Sequence, residues 1–446
     1  MTKNILPEEV KRYLSKYSLE GWKLECSTAD DIHLAIVIPA IQEYNNIRKL
    51  LSSLAENDPK YFRHTLIVFV INNTARASEE VYLDNGLSLE LLRNIISLRN
   101  PEDPVVDKVT HSGLKLAFVD ASSKGLELPE KDGGVGLARK IGMDLTLSAF
   151  SYSTKKNAIA CLDADCTVEK NYITSLYEAF SKNKLHAAYV NFRHTITSGT
   201  PDESTLAIIC YEIFLRYYVL GLQAAGSPYG FHTIGSTMAC SYESYIKIEG
   251  MNKRKAAEDF YFMEKLSKNT EIHKIDSTTV YPSGRGSWRV PFGTGQRVNR
   301  FISHSHDEYQ LYSPGSFYVL KDWLRVFNSP EVYDAGYYLD KAGEIHPSMR
   351  SFLEEQNFAR DWKKILANSK SGVQISRQKK LWFDGFRTLK LIHFLRDNGF
   401  PPVNMFDALD EVFSRMGIHF QAEREKGTIP PFEVQIQYLE KLREIA

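Results

Sequence analysis

Two carboxylates one residue apart, Asp163 and Asp165, close the apolar run Ala158-Ile159-Ala160-Cys161-Leu162. At the end of a buried strand such a pair forms a compact anionic site. A hard divalent cation, Mg2+ or Mn2+, suits it, because it takes oxygen ligands and can bridge to diphosphate oxygens. It would neutralise charge building on a departing nucleoside diphosphate. The plain alternative is a polar turn after a strand.

Four other segments carry candidate chemistry. Val37-Ile38-Pro39-Ala40-Ile41-Gln42-Glu43 leads into a helix starting near Asn46. A loop there can hold a nucleoside, with Glu43 accepting hydrogen bonds from ribose or base, although a carboxylate at a helix start is also favoured by the helix dipole. Gly133-Gly134-Val135-Gly136-Leu137-Ala138-Arg139-Lys140 allows close backbone approach ahead of a helix N-terminus that favours an anion. Arg139 can reach a diphosphate there, or the glycines simply make a loop. Ala257-Glu258-Asp259-Phe260 opens a further helix. Direct displacement at an anomeric carbon needs a base to take the acceptor hydroxyl's proton, with Asp259 the candidate and Glu258 orienting it or the acceptor. Helix capping also accounts for acidic residues at that place.

The last segment, Ser283-Gly284-Arg285-Gly286-Ser287-Trp288-Arg289 followed by Phe292-Gly293-Thr294-Gly295-Gln296-Arg297, is glycine-rich with three arginines and a tryptophan. It can order as a lid over a phosphorylated donor, with Trp288 stacking on a sugar, or remain a solvated loop. His304 and His306 follow, as a source of a third metal ligand or as surface histidines.

The elements that must position these groups are legible as patterns. Leu34–Ile38, Leu66–Ile71, Leu116–Val119, Ile159–Leu162 and Ala187–Val190 have the character of buried strands. Between them, Ile47, Leu50, Leu51 and Leu54 fall at helical spacing, as do Ala138, Ile141 and Leu145, and Ile173, Leu176, Tyr177 and Phe180. Strand and helix in alternation imply an α/β domain with a mostly parallel central sheet flanked by helices. Ligands of such sheets sit at the carboxyl ends of the strands. Past residue 302 the strand signal fades. Trp382, Phe383, Phe386, Leu389 and Ile392 suggest a helix, as do Phe432, Ile436, Leu439 and Leu442. The expected organisation is a helical extension over 1–30, a catalytic domain over 31–301 and a mainly helical region over 302–446.

Composition narrows the function classes. Fifty-five basic and 55 acidic residues balance to a formal charge of zero, which argues against a nucleic-acid partner. The 43% hydrophobic content allows sizeable cores, and the 12% of aromatics serve as core or as platforms for sugar faces. Five cysteines without a C-x-x-C pair suggest a reducing compartment, hence a cytoplasmic protein. Met1 to Leu19 is polar without an apolar core, so no signal peptide is expected. Leu206–Ala225 is apolar but carries Glu212 and Arg216, which suggests a buried or interfacial helix and at most peripheral membrane association.

Taken in order, these segments resemble the family 2 glycosyltransferases of the GT-A fold. The family's Pro-Ala-x-Asn-Glu loop is similar to Pro39-Ala40-Ile41-Gln42-Glu43, its Gly-x-Ala-Arg-Asn helix start to Gly136-Leu137-Ala138-Arg139-Lys140, and its Asp-x-Asp to Asp163-Ala164-Asp165. Its acceptor segment and Glu-Asp pair correspond to Gly235-Ser236 and Glu258-Asp259. The resemblance spans roughly residues 33–300. It implies a nucleotide-sugar donor, a carbohydrate, lipid-linked or small-molecule acceptor, a divalent metal and inversion at the anomeric carbon. It also implies that Glu43 touches the nucleoside, Asp163 the ribose and Asp165 the metal, with Asp259 as base. Asn72-Asn73 stands where an acidic residue commonly reads the base, which places Asn73 beside the donor. Gln42 replaces the usual Asn, and Gln296-Arg297-Val298-Asn299-Arg300-Phe301 is only loosely similar to the Gln-x-x-Arg-Trp of processive synthases. Two rival classes use the same carboxylates. A haloacid-dehalogenase-type phosphatase would match Asp163-Ala164-Asp165-Cys166-Thr167 but lacks a downstream Gly-Asp-x-x-x-Asp. A sugar nucleotidyltransferase would want a basic glycine-rich loop where Pro39 to Asn46 stands.

Overall fold

The computed structural model describes residues 6–26, 30–153, 157–196, 201–286 and 293–446. They form two compact units. The first comprises Met1–Thr195 and Thr233–Gly284, and the second Ile196–His232, Arg285–Ser287 and Gly293–Ala446. The division does not follow one point in the sequence, because Ile196–His232 groups with the C-terminal region.

The first unit is built on a nine-stranded sheet of β1 (Glu25–Cys26), β2 (Leu34–Ala40), β3 (Thr65–Asn72), β4 (Lys115–Ala121), β5 (Ala158–Cys161), β6 (Thr167–Val168), β7 (Ala187–Phe192), β8 (Met238–Ser241) and β9 (His273–Tyr281), in the order β1-β4-β3-β2-β5-β8-β7-β9-β6. Strands β4, β3, β2 and β5 run parallel, so their carboxyl ends share one edge. Strand β8 is antiparallel to both β5 and β7, while β7 and β9 run parallel. This is the α/β arrangement with a mostly parallel centre that the sequence patterns implied.

All seven residues of β2 and all eight of β3 are buried, without alternation, as expected of strands covered on both faces. The covering helices are α1 (Glu8–Tyr17), α2 (Tyr44–Ala55), α3 (Glu79–Ile96), α4 (Pro104–Ser112), α5 (Val135–Thr146) and α6 (Tyr172–Ser181). In α2, Ile47, Leu50, Leu51 and Leu54 are each 0% exposed. Full burial of one such side chain contributes roughly 1.5–3 kcal/mol. On the other side α5 sits so close that a Cβ at Gly142 would lie 2.5 Å from Val37 Cγ1 and 2.8 Å from Val70 Cγ2. Strands β2 and β3 can therefore carry α5 only where the helix offers no side chain.

The second unit contains α7 (Glu203–Ala224), α10 (Thr294–Ile302), α11 (Pro314–Phe327), α12 (Ala335–Ile345), α13 (Pro347–Glu355), α14 (Phe358–Asn368), α15 (Gly372–Trp382), α16 (Gly385–Asp397), α17 (Met405–Arg415) and α18 (Phe432–Ile445). It also has a short antiparallel pair, β10 (Gln310–Leu311) and β11 (Val403–Asn404). The first unit also holds α8 (Tyr242–Lys247) and α9 (Glu258–Ser267). The helix suggested by Trp382 to Ile392 is two helices. The first ends at Trp382, and Asp384 caps the second by accepting from the Arg387 N–H at 2.9 Å. Among the described residues, α7 is the one helix long and apolar enough to cross a membrane, and 72% of that stretch is buried. Its charges are satisfied internally: Arg216 Nε donates to Glu212 at 2.9 Å, and Arg443 donates to both Glu212 oxygens at 2.7 and 2.8 Å.

Gly142→Ala should lower stability by about 1–3 kcal/mol through overpacking against Val37 and Val70. The measurement is a urea denaturation curve, in which the midpoint falls while the slope is kept. An unchanged midpoint would contradict the seating of α5.

Candidate active site

The site begins where β5 ends. Leu162 stays paired to β2, its N–H donating to the Val37 carbonyl at 3.1 Å, and the chain then turns, with Cys166 N–H donating to the Asp163 carbonyl at 3.1 Å. Within this turn Ala164 is 2% exposed, while the flanking Asp163 and Asp165 are only partly buried. Burial pushes the Cys166 thiol well up, and it hydrogen-bonds to Ser236, so the 235–236 segment lies against the turn.

Helix α5 delivers Arg139 to this place. Its N-terminus packs tightly: a Cβ at Gly136 would come 2.3 Å from the Arg254 carbonyl oxygen and 3.0 Å from Glu258 Cβ. One turn later Arg139, 2% exposed, donates through Nη2 to Asp163 and through Nη1 to Glu258. A Cβ at Gly235 would stand 2.4 Å from Arg139 Nη2, so any other residue there would displace the guanidinium. Glu258, 4% exposed, opens α9 behind Ala257, whose φ of 57° is left-handed. Asn252 donates to the Glu258 carbonyl at 2.8 Å and steadies that start. Arg139, Asp163, Gly235 and Glu258 stand on separate elements of the sequence, and the fold brings them together around one buried charge.

Asp259 follows, partly buried, and accepts from the Phe260 N–H at 2.7 Å. Burial, with the neighbouring Glu258 carboxylate adding to it and Arg139 opposing, pushes its carboxyl up to about 7. Three carboxylates share one guanidinium here, and Asp165 lies two residues beyond Asp163. This group of hard oxygen donors fits a divalent cation of the Mg2+ or Mn2+ kind. Among the described residues, Asp163 and Asp165 are not part of a three-residue ligand cluster. Two protein carboxylates suit a cation that takes its remaining ligands from phosphate oxygens and water.

The other predicted residues distribute as follows. Pro39 and Ala40 end β2, and Glu43, 7% exposed, accepts from Asn46 Nδ2 at 2.5 Å. Gln42 takes a left-handed φ of 55°, and its N–H donates to Asn85 Oδ1 at 2.9 Å, so α3 fixes the loop. Asn73 is 1% exposed and lies inside a polar network. Its Oδ1 accepts from Asn85 Nδ2 at 2.9 Å and from the Ser122 hydroxyl, and its Nδ2 donates to the Thr74 carbonyl at 3.1 Å. Arg285 is exposed and belongs to the second unit, whereas Trp288 and Arg289 lie outside the described residues. Arg297, the third arginine of the supposed lid, bonds to Glu308, and Arg300 contacts the same carboxylate at 2.9 Å. His304 and His306 are exposed, and neither belongs to a metal-ligating cluster among the described residues.

Sequence reasoning passed over Asp120, Asn85 and Ser122. Asp120 stands at the end of β4. Burial works against its charge, but the N–H and hydroxyl of Ser123, the N–H of Ser122 and Arg93 outweigh it and hold the carboxyl below its usual range. Its signal was available, an acidic residue at a parallel strand's carboxyl end, in Asp120-Ala121-Ser122-Ser123.

The raised Asp259 has a stability consequence. Its folded form keeps the proton until about pH 7, whereas an unfolded aspartate releases it near pH 4. Over that window the folded state binds more protons, so this contribution is full at low pH and is lost as pH rises through about 7. Asp259→Asn should therefore melt above the wild type at pH 8, with the gap closing toward pH 4. A gap that does not change with pH would contradict the shift.

Comparison with known proteins bears on the same stretch. Residues 126–248 match the family model described as Glycosyl transferase family 2. No curated protein sequence matches the chain. Solved structures similar to it include TarS 1-349 of S. aureus in complex with UDP-GlcNAc, at 14% identity and TM-score 0.37, covering 89% of this chain and 95% of that one. Mannosyltransferase PcManGT from Pyrobaculum calidifontis, in complex with GDP-Man and Mn2+, shows 12% identity and TM-score 0.37, covering 86% and 92%. Glucosyl-3-phosphoglycerate synthase from Mycobacterium tuberculosis, with Mn2+, UDP and phosphoglyceric acid, shows 11% identity and TM-score 0.33, covering 69% and 87%. Likeness at this level leaves the residues of the site to be argued from the chain itself. The family match contains Arg139, Asp163, Asp165 and Gly235, so the stretch that carries much of the site is similar to family 2 glycosyl transferases.

Proposed function

We propose that this enzyme transfers a sugar from a nucleotide-sugar donor to an acceptor hydroxyl by single displacement, with inversion at the anomeric carbon. The observation that supports this reading is Arg139, which ties the Asp163 strand end to Glu258, the residue before Asp259. In this reading the loop from Pro39 to Glu43 receives the nucleoside, Asp163 meets the ribose, and Asp165 with Asp163 holds Mg2+ or Mn2+. When bound, that cation offsets charge on the leaving diphosphate. Asp259 takes the acceptor hydroxyl's proton as the oxygen attacks, and Glu258, held by Arg139, keeps the base in place.

A carboxyl near 7 suits this task, because a base works best when its pKa lies close to the working pH. The phosphatase alternative would need Asp163 as nucleophile. Its carboxylate instead accepts from a buried guanidinium, which withdraws electron density from the attacking oxygen. The acceptor is a carbohydrate, a lipid-linked sugar or a small molecule. A cytoplasmic site of action accords with five cysteines that are all unpaired.

Release of nucleoside diphosphate from a panel of sugar nucleotides tests the proposal, with water as the slow default acceptor. Asp165→Ala should abolish cation-dependent donor binding. Asp259→Asn should retain donor binding and lose roughly 10²–10⁴-fold in turnover, the usual size of general-base catalysis. Wild-type turnover should rise as pH passes through about 7, as Asp259 loses its proton. Undiminished turnover in Asp259→Asn, or turnover that falls over that range, would overturn the base assignment.

A further inference from the structure

At the opposite end of the parallel strands, Asp31, His33 and His64 converge. Asp31 and His33 precede β2, and His64 ends the 3-10 turn Pro59–His64 just before β3. The seven residues of β2 put this cluster roughly 20 Å from the strand ends that carry the donor site. One ligand atom from each of the three side chains lies within 4.8 Å of the other two. His33 Nε2 is 3.1 Å from Asp31 Oδ1, and His64 Nδ1 is 3.2 Å from Asp31 Oδ2.

The hydrogen bonds around His33 define what stands between these groups. Its Nδ1 lies 2.8 Å from Asn157 Oδ1, and the Asn157 amide is turned that way because its Nδ2 donates to the Ser151 carbonyl at 2.9 Å. Nδ1 therefore carries the imidazole proton. In the neutral ring Nε2 is then a lone pair, and it faces a carboxylate oxygen. Two acceptors at 3.1 Å require a positive charge between them. A second proton would supply it, and so would a metal ion.

We propose that Asp31, His33 and His64 form a second metal site, for Zn2+ or a similar cation that prefers imidazole and carboxylate ligands. Bonds of the usual Zn–N and Zn–O lengths in a tetrahedron put ligand atoms about 3.3 Å apart, close to the two spacings seen here. His33 already has the supporting contact of a bound imidazole, its far nitrogen donating to a fixed carbonyl-type oxygen. Asn157 is 0% exposed and His33 6%, so that half of the site is preorganised. His64 now accepts from Arg63 Nε at 2.8 Å through Nε2 and donates from Nδ1 to the Asp31 backbone carbonyl at 3.0 Å. Coordination through Nδ1 moves its proton to Nε2, and the exposed Arg63 turns away. The fourth position is open to water. Bound there, the cation would pin the starts of β2 and β3 to one another.

The test uses the full chain carrying Asp165→Asn, so that cation binding at the donor site does not contribute. After dialysis against Zn2+ and then against buffer, metal content is measured by atomic absorption, with circular dichroism confirming the fold. One equivalent of zinc should remain and should raise the melting temperature. Adding His64→Gln or the surface change Asp31→Ala should remove both, and Co2+ in place of zinc should give visible bands that the same changes abolish. No retained zinc would overturn the proposal. Zinc retained equally in both variants would overturn it as well.

Discussion

A buried guanidinium is the constraint around which the catalytic unit is arranged. Arg139 is 2% exposed, and a charge so far from water is tolerable only when paired and hydrogen-bonded. Its two partners come from elements distant in sequence, the turn after β5 and the first residue of α9. Those elements must therefore sit in register with α5. Glycines at 136 and 235 clear the space, since a Cβ at either would strike a carbonyl oxygen or the guanidinium itself. The next residue along, Lys140, is buried on another side of α5. It pairs with Asp144 at 2.9 Å, where the hydroxyls of Tyr13 and Tyr245 also converge at 2.7 and 2.6 Å. Consecutive residues of one helix thus tie it to the site and to the elements behind it.

The same arrangement sets the site's electrostatics. One positive charge serves Asp163 and Glu258 and acts on Asp259, so the carboxylates are not fully compensated. Asp259, the least well paired, takes up the imbalance as a raised affinity for its proton. The raised carboxyl proposed as the base is in this sense a by-product of how Arg139 is neutralised. The cost appears as lost stability above that pH, a common exchange at functional sites.

Much of this was legible in the sequence because the core strands are buried on both faces. Leu34–Ile38 and Leu66–Ile71 are apolar without a break, and both are too short for a buried helix, which leaves a strand covered on each side. The carboxylates were legible from their place at the end of such a run. Three kinds of feature were not. Strands β8 and β9 lie where the sequence lacks a clean apolar block: β9 has only Ile275 and the stretch from Thr278 to Val280 buried. The break at Phe383 and Asp384 is set by a capping side chain within an aromatic run that keeps helical spacing across it. The role of Asn73 depends on Asn85 and Ser122, which are 12 and 37 residues apart from their partners along the chain, and no local pattern encodes that meeting.

Everything proposed for the catalytic unit rests on the carboxylates gathered by Arg139 binding a nucleoside diphosphate together with a divalent cation. Calorimetric titration of the wild-type chain with UDP, GDP, dTDP, ADP and CDP, each with Mn2+ and again with EDTA, measures this directly. At least one diphosphate should bind with Mn2+, and its affinity should collapse in EDTA. Binding of none of them, or equal binding in EDTA, would contradict the assignment.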